Sequence, residues 1–388
     1  MNFGIVCEFN PFHQGHAYLL NRARELGANN IVCVMSGNAV QRGELAIFDK
    51  YKRASIAAKR GADLVLELPY PYSAASAEYF ATAGVKILAP FCDALIFGSE
   101  CGDIELLKKA ADISLSDDFA TEFEAKKRAG EGAAAAYFSL IEERIGISLS
   151  SNDILGIEYI KAAKKHSLRL EFFTVKREGN AYRDDTLNEG KIPSASAIRR
   201  AIYSEDKNLI SSLDSELFGT VNELSESGEI TDMRLLERAY LAYFRLTDPS
   251  SISSLAECDG GVAERICLAA KNSYDFESFW NAIKTKRYTD AKLRRAMLFA
   301  LTGVDKELLS SAPEYTCLLA ASSAGRELLS ANKKAKNQFI TVVTKPADAP
   351  REAKQFIVDE KLNSLFTLAT KKPFSTGEAY RKNAFIIK

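Results

Sequence analysis

The sequence of 388 residues lacks any excess of charge, because Lys plus Arg and Asp plus Glu both number 51. A global positive charge that would collect nucleic acid non-specifically is therefore excluded, and an RNA site would have to be a local patch. No run of about 18 apolar residues occurs, and the N-terminus carries a strand pattern in place of a basic, apolar leader. We expect a cytoplasmic protein without membrane contact.

Cysteine and histidine are too sparse for two common kinds of site. The seven cysteines form no C-x-x-C pair, and an odd, scattered set is typical of reduced thiols rather than of a disulfide framework. With three histidines in the chain, a zinc site built by the protein is not expected. The length is sufficient for two or three domains with a substantial core.

The first stretch that suggests chemistry is a strand, a turn and a helix. The apolar run Phe3–Cys7 followed by Asn10-Pro11 predicts a buried strand that enters a turn. The apolar spacing after it predicts a helix from about Gln14 to Leu26. Because the amides and the dipole of a helix N-terminus face such a turn, this arrangement can bind a phosphate.

Two of the three histidines lie at this helix start. His13 and His16 are three positions apart, so within a helix both rings would leave the same face. Gly15 between them would let a ligand approach the main chain closely. A simpler interpretation is that the two histidines only cap a helix of an ordinary α/β domain.

Apolar, β-branched runs alternate with segments of helical spacing over the first half of the chain. This order predicts an α/β fold with a Rossmann-like, doubly wound parallel sheet, which binds ligands beyond the carboxyl ends of its strands. The runs are Phe3–Cys7, Ile31–Met35, Leu64–Leu68, Ala94–Phe97 and Leu170–Val175.

The strand signal disappears from about residue 206 to 337, where amphipathic helical spacing predicts a mainly α-helical domain. We therefore predict a Rossmann-like domain over 1–205 that binds the nucleotide. A helical domain over 206–345 and a short C-terminal element over 346–388 follow it. The segment 103–144 also has a helical, charged pattern, and we interpret it as an insertion or lid.

Charged side chains follow several predicted strands. Arg42, Lys50 and Lys52 could hold phosphates at the ligand edge, or they could form an ordinary solvated face. Glu44 and Glu67 would repel a triphosphate unless a magnesium ion lay between them, so structural roles are favoured for both carboxylates. Arg177 would be presented at the same edge, where its planar fork suits phosphate.

A basic stretch with interleaved aromatic residues occurs in the helical part. Trp280 and Tyr288 lie among the cations, and this composition is typical of an RNA-contacting surface, although a solvated helix would look similar. The cations are Lys284, Lys286, Arg287, Lys292, Arg294 and Arg295.

Five blocks of the sequence resemble successive motifs of the bacterial tRNA(Met) cytidine acetate ligases, which belong to the HxGH nucleotidyltransferase superfamily. The blocks are Glu8–His16, Met35–Asn38, Gln41–Glu44, Gly61–Pro69 and Phe97–Glu100. The resemblance implies that acetate attacks the α-phosphate of ATP, giving acetyl-adenylate and pyrophosphate. The acetyl group would then pass to N4 of the wobble cytidine of elongator tRNA(Met).

The resemblance also implies roles for individual residues. His13 and His16 would bind the α-phosphate, and Arg199 would neutralise charge on the transferred centre. Ser194 and Ser196, at a serine-rich helix start, would donate to the β- and γ-phosphates. The other residues implied to bind the nucleotide are Val6, Cys7, Glu8, Phe9, Asn10, Pro11, Phe12, Gly15, Gly98, Asn152 and Arg177.

Two positions depart from the family pattern: Ser151 stands where a proline is expected, and Arg183 where a histidine is expected. Two alternatives stay open, and these departures give weight to the second of them. One is a nucleotidyltransferase that acts on a small phosphorylated metabolite, although such enzymes are usually compact and lack the helical part. The other is a non-catalytic protein that binds RNA or a nucleotide.

Overall fold

The computed structural model describes residues 1–129, 132–177, 194–211, 213–335, 340–377 and 381–387. Its strands are β1 (Asn2–Cys7), β2 (Asn30–Ser36), β3 (Ala39–Val40), β4 (Glu44–Leu45), β5 (Leu64–Leu68), β6 (Ala94–Ser99), β7 (Glu171–Lys176), β8 (Tyr315–Ala321), β9 (Thr341–Val343) and β10 (Phe385–Ile386).

Helices occupy most of the remaining chain. In the first half they are α1 (Gln14–Glu25), α2 (Lys50–Lys59), α3 (Ala77–Leu88), α4 (Ile104–Ser114), α5 (Asp117–Arg128), α6 (Ala133–Ile145), α7 (Ser151–Lys165) and α8 (Ala195–Ser204). In the second half they are α9 (Lys207–Ser211), α10 (Ser215–Ser227), α11 (Glu237–Leu246), α12 (Pro249–Ile252), α13 (Val262–Asn272), α14 (Phe276–Ile283), α15 (Asp290–Thr302), α16 (Lys306–Ser310), α17 (Ser323–Lys334) and α18 (Lys354–Leu368). Short 3₁₀ turns cover Tyr72–Ala74, Met233–Leu236 and Pro346–Asp348.

All five predicted strands pair in one parallel sheet, in the order β5, β2, β1, β6 and β7. This confirms the predicted Rossmann-like arrangement, whose ligand edge is formed by the carboxyl ends of these strands. The central strands read as unbroken apolar runs because helices cover both of their faces. Along β2, for example, Cys33 packs in the core under α1 and α2, and Val34 packs in the core under α3 and α7.

The chain after residue 206 is helical, as predicted, but it also contributes strands to the sheet. β8 pairs antiparallel to β5, and β9 and β10 pair parallel to β8. The expectation that strands are absent between residues 206 and 337 was therefore wrong. The run Tyr315–Ala321 is buried throughout, and a short apolar run of this kind cannot be assigned to strand or helix from its periodicity alone.

The helical part shares a core with the sheet part. Ala39, Leu45 and Tyr70 from the first half pack with the apolar faces of α11, α13, α14, α15 and α18. Gly43 adopts a positive φ of 74°, and a Cβ atom there would lie 2.5 Å from the backbone nitrogen of Arg295. Only glycine fits such a turn, so the 40–44 segment is closely packed against α15. None of the helices in the described ranges is long and apolar enough to cross a membrane.

Candidate active site

The His13 and His16 rings meet at the start of α1. His13 is the N-cap, and its Nδ1 accepts a hydrogen bond from the Gly15 amide at 3.0 Å, while Nδ1 of His16 accepts from the His13 amide at 3.2 Å. The rings stack with centroids 3.8 Å apart. The two histidines therefore do cap the helix, but the capping bonds use only one nitrogen of each ring.

The capping bonds determine which ring nitrogen carries the proton. A backbone N–H can only donate, so Nδ1 of each neutral imidazole must be the acceptor and Nε2 must carry the hydrogen. Burial, together with the charges of Arg177 and Arg199, lowers the pKa of His13 to about 4. Burial and the neighbouring His13 lower the pKa of His16 well below its usual value. Both rings are thus neutral Nε2–H donors near pH 7.

The ring of His13 also explains the glycine of the motif. A Cβ atom on residue 15 would lie 2.9 Å from Cε1 of His13. Gly15 therefore makes room for the histidine ring, whereas the sequence had suggested room for a ligand. Phe9 and Phe12 pack against the ring of His16 from below, with centroid distances of 4.9 and 5.6 Å.

The turn before the histidines is held by hydrogen bonds from distant elements. Asn10 accepts at its side-chain oxygen from the Ile47 amide at 2.8 Å, and its carbonyl accepts from Arg199 at 2.7 Å. The carboxylate of Glu8 accepts from the Gln41 amide at 2.8 Å. These bonds fix the path of the chain between β1 and α1.

Several residues implied to bind the nucleotide have side chains committed to the core. Val6, Cys7, Phe9 and Phe12 are each at most 9% exposed. Only the main chain of these residues remains for a ligand. That this segment binds the nucleotide stays a prediction, and the buried side chains stabilise the fold of the turn.

Arg199 and Arg177 approach the histidines from two other elements. Arg199 lies in the second turn of α8, where it also donates to Ser196 Oγ at 3.4 Å. Arg177 directly follows β7, and both arginines act on the pKa of His13. The structure thus brings together the two cations and the two imidazoles that the sequence had suggested.

Ser194 caps α8 by accepting from the Ala197 amide at 3.2 Å, so its hydroxyl hydrogen remains available to a ligand. Arg183 lies outside the described residues, and its departure from the family pattern is not tested. Ser151 is the first residue of α7, a helix capped by Ser150.

Glu100 is a candidate site residue that sequence reasoning did not single out. Its Oε1 accepts from the Asn152 side chain at 2.6 Å and lies 3.8 Å from Nε of Arg177. It therefore orients two residues implied to bind the nucleotide. A Cβ atom on Gly98 would lie 3.3 Å from the Arg177 side chain, so Gly98 leaves room for that arginine.

The predicted phosphate cluster of Arg42, Lys50 and Lys52 does not form. Lys50 is buried and bound to both oxygens of Glu67 at 2.6 and 2.8 Å, whereas Lys52 pairs with Glu223 at 2.7 Å. Of the three, only Arg42 lies near Glu8 and Arg199, whose charges influence its pKa. The prediction failed because the partners of the two lysines are distant in sequence.

The carboxylates considered for magnesium have structural roles, as the sequence had favoured. Glu67 is held by Lys50, and Glu44 pairs with Arg294 at 3.3 Å. Both side chains are therefore engaged in ion pairs. Within the ranges that the structure describes, no group of three or more His, Cys, Asp or Glu residues could hold a metal ion.

The predicted RNA-contacting cations fall into two groups. Lys284, Lys286 and Arg287 are exposed. Arg295 is only 11% exposed and donates to Glu257 at 2.9 Å, so it cannot be a free phosphate contact. Arg294 is held between Glu44 and the ring of Trp280, with its guanidinium 5.0 Å from the ring centroid.

A parallel sheet with a His-x-Gly-His helix start at its ligand edge defines a nucleotidyltransferase. The model of the HIGH Nucleotidyl Transferase family matches residues 1–380. The tRNA(Met) cytidine acetate ligase of Clostridium perfringens is 34% identical over 376 residues, which cover 90% of this chain and 91% of that protein. That of Caldanaerobacter subterraneus is 34% identical over 382 residues and 95% of both chains.

The crystal structure of Thermotoga maritima TmcAL bound with alpha-thio ATP superposes with a TM-score of 0.88, at 28% identity and over 100% of both chains. The chain belongs to the HIGH nucleotidyltransferase family and, within it, to the family of tRNA(Met) cytidine acetate ligases.

Proposed function

We propose that this protein is an ATP-dependent ligase that activates acetate as acetyl-adenylate and acetylates N4 of the wobble cytidine of elongator tRNA(Met). The observation that carries the proposal is the pair of stacked imidazoles, each with its Nε2–H free of the capping bonds and with Arg177 and Arg199 beside it. The relatives named for this activity match about nine-tenths or more of the chain, which supports the same proposal. A protein with these substrates would act in the cytoplasm.

In the first step the two Nε2–H groups donate to oxygens of the α-phosphate. Negative charge grows there as a carboxylate oxygen of acetate attacks, and donors that are already oriented stabilise this charge without reorganising. Arg199 neutralises charge on the same centre, and pyrophosphate leaves. Acetate is ionised at neutral pH, so this step needs no base.

In the second step the exocyclic amine of cytosine attacks the acetyl carbon, and AMP leaves. The amine is a weak nucleophile, so alignment with the mixed anhydride is the main requirement. The phosphate of the departing AMP is suited to take the proton from nitrogen. Magnesium, if it acts, would be bound mainly by phosphate oxygens and water, as is usual for this ion.

The test is mass spectrometry of nucleosides from tRNA(Met) incubated with the protein, ATP and isotopically labelled acetate. We expect labelled N4-acetylcytidine. If none forms but ATP exchanges with labelled pyrophosphate when acetate is present, the acceptor is wrong and the activation of acetate stands. If neither reaction occurs, the proposal is wrong, and transfer to a small phosphorylated metabolite becomes the next candidate to assay.

A further inference from the structure

A cavity of about 600 Å³ lies between the Gly43–Glu44 turn and helices α11, α14 and α15. This volume is within the range of natural small-molecule sites. Its apolar wall is formed by Met233, Tyr240, Phe276, Trp280 and Met297. Its polar wall is formed by Glu44, Arg234, Glu237, Asp275, Glu277 and Arg294.

The aromatic wall is suited to a planar ligand. The rings of Phe276 and Trp280 lie nearly parallel, at 10° with centroids 6.5 Å apart, and Trp280 is only half-buried. The guanidinium of Arg294 lies 5.0 Å from the Trp280 ring and is oriented by Glu44. Unpaired RNA bases are bound by stacking on such aromatic rings and arginine planes.

The polar wall favours a ligand edge that donates hydrogen bonds. Four of its six residues are carboxylates, two of which, Glu44 and Glu237, are partly buried. This excess of negative charge would repel a free phosphate or another small anion. The exocyclic amine of cytosine, by contrast, donates to Glu or Asp side chains.

The cavity adjoins the nucleotide site through one short segment of chain. The Gln41 amide bonds to Glu8 at the end of β1, whereas Gly43 and Glu44, two and three residues later, line the cavity. The pKa of Arg42, which lies between them in the sequence, is lowered by burial and is influenced by the charges of Glu8, Glu44, Arg199 and Arg294. The segment that lines the cavity is therefore joined within three residues to the turn that precedes the histidines.

We propose that this cavity binds the cytidine that is acetylated, extruded from the RNA and stacked on the aromatic wall at Trp280, beside Arg294. The inference rests on the proposed function, because it assigns the acceptor of that reaction. It names a base-binding site in addition to the exposed cations Lys284, Lys286 and Arg287, which are predicted to contact phosphates.

The test uses the fluorescence of Trp280, which is the one tryptophan of the chain. The full-length protein is titrated with the anticodon stem-loop of tRNA(Met), and with the same stem-loop carrying an abasic site in place of the wobble cytidine. Binding is followed in parallel by electrophoretic mobility. We expect both RNAs to bind, and only the RNA with cytosine to quench the fluorescence. Equal quenching by both RNAs would overturn the assignment. So would the absence of quenching when the mobility assay shows that the complex has formed.

Substitutions test the same site by activity. Trp280→Leu should lower kcat/KM for tRNA at least tenfold. The matched control is Tyr274→Leu, which changes an aromatic side chain 86% exposed and outside the cavity, and which should leave acetylation within twofold of the unsubstituted protein. Urea unfolding of both variants identifies any loss of folded protein.

Exchange of ATP with pyrophosphate needs no RNA. It therefore distinguishes an error in the assignment of the cavity from an error in the proposed function. If Trp280→Leu, still folded, loses exchange together with acetylation, the cavity serves the nucleotide and the assignment to RNA is wrong. If the unsubstituted protein shows neither exchange nor RNA binding, the proposed function itself is wrong.

Discussion

At the scale of single residues, each motif histidine uses its two ring nitrogens for different purposes. Nδ1 closes the first turn of α1, and Nε2–H is left to bind a phosphate oxygen. Because asparagine can replace the Nδ1 acceptor but does not extend to Nε2, His16→Asn separates the two roles. We expect acetate-dependent exchange of ATP with pyrophosphate to fall by about 100-fold or more, as on loss of one charge-stabilising donor.

The same His16→Asn variant should unfold in urea within about 1 kcal/mol of the unsubstituted protein, because the capping acceptor is kept. It should also bind tRNA normally. His16→Ala serves as the comparison, since it removes both roles and should lose stability as well as exchange. Equal losses of stability in the two variants would contradict the division of roles between the ring nitrogens.

The second prediction at this scale concerns pH. The pKa of His13 is lowered to about 4 in the folded protein, whereas an unfolded chain has the ordinary value near 6.5. Between these values the unfolded state binds more protons, so the free energy of unfolding should decrease as pH falls from about 6.5 to about 4. Because His16 shifts in the same direction, the two effects add.

Nuclear magnetic resonance of ¹⁵N-labelled imidazoles measures these values directly. The chain has three histidines, and His166→Gln assigns the exposed one by elimination. We expect two imidazoles to remain neutral with the hydrogen on Nε2 at pH 6. Titration of either motif histidine near 6.5 would contradict the burial of these rings.

At the scale of elements, α2 fixes the ends of β1 and β2 through Arg53. This guanidinium is fully buried and donates to the carbonyls of Phe48, Glu8, Ser36 and Gly37, at 3.0, 2.6 and 2.9 Å for the first three. It is thus a positioning residue for the turn that carries the histidines. The local sequence does not reveal this role, because the carbonyl partners of Arg53 at the ends of β1 and β2 are distant along the chain.

We predict that Arg53→Lys lowers the free energy of unfolding by about 3 kcal/mol, because one ammonium group cannot satisfy four buried carbonyls. The Michaelis constant for ATP should rise, since the turn between β1 and α1 loses support. Urea unfolding and exchange kinetics measure the two effects. The matched control is Arg60→Lys at the C-cap of α2, whose partly exposed side chain pairs with Asp214 and Glu216, and which should change stability by less than about 1 kcal/mol.

At the scale of the whole molecule, the sheet is completed by the C-terminal half of the chain. β8 covers the edge of β5, and the buried side chains of Leu64 and Leu66 lie on that strand. We predict that a fragment of residues 1–205 aggregates, because this edge and its apolar faces become exposed. Light scattering measures the aggregation of the fragment, and circular dichroism measures whether it folds. A monomeric, cooperatively folding fragment would support the domain boundary proposed at residue 205.

The distribution of cations over the molecule predicts how RNA binding depends on salt. Exposed Lys286 and Arg287 can release counterions from RNA phosphates, so reversing both charges should weaken tRNA binding and lower its salt slope by about 0.7 per lost contact. Reversal of the exposed Arg326 and Lys333 on α17 is the control and should change neither. Binding isotherms at several salt concentrations measure the slope, and an unchanged slope in the first variant would exclude these two cations as phosphate contacts.

The sequence by itself determined the alternation of strands and helices, the parallel sheet and the histidine motif, because each depends on neighbours within a few residues. The tertiary structure decided what depends on distant partners. It placed β8 in the sheet, paired Lys50 with Glu67, joined Arg295 to Glu257 and brought α8 to the histidines. The local residue pattern determines which face of a helix or strand is apolar. The role of a charged side chain depends instead on the group that folding places next to it.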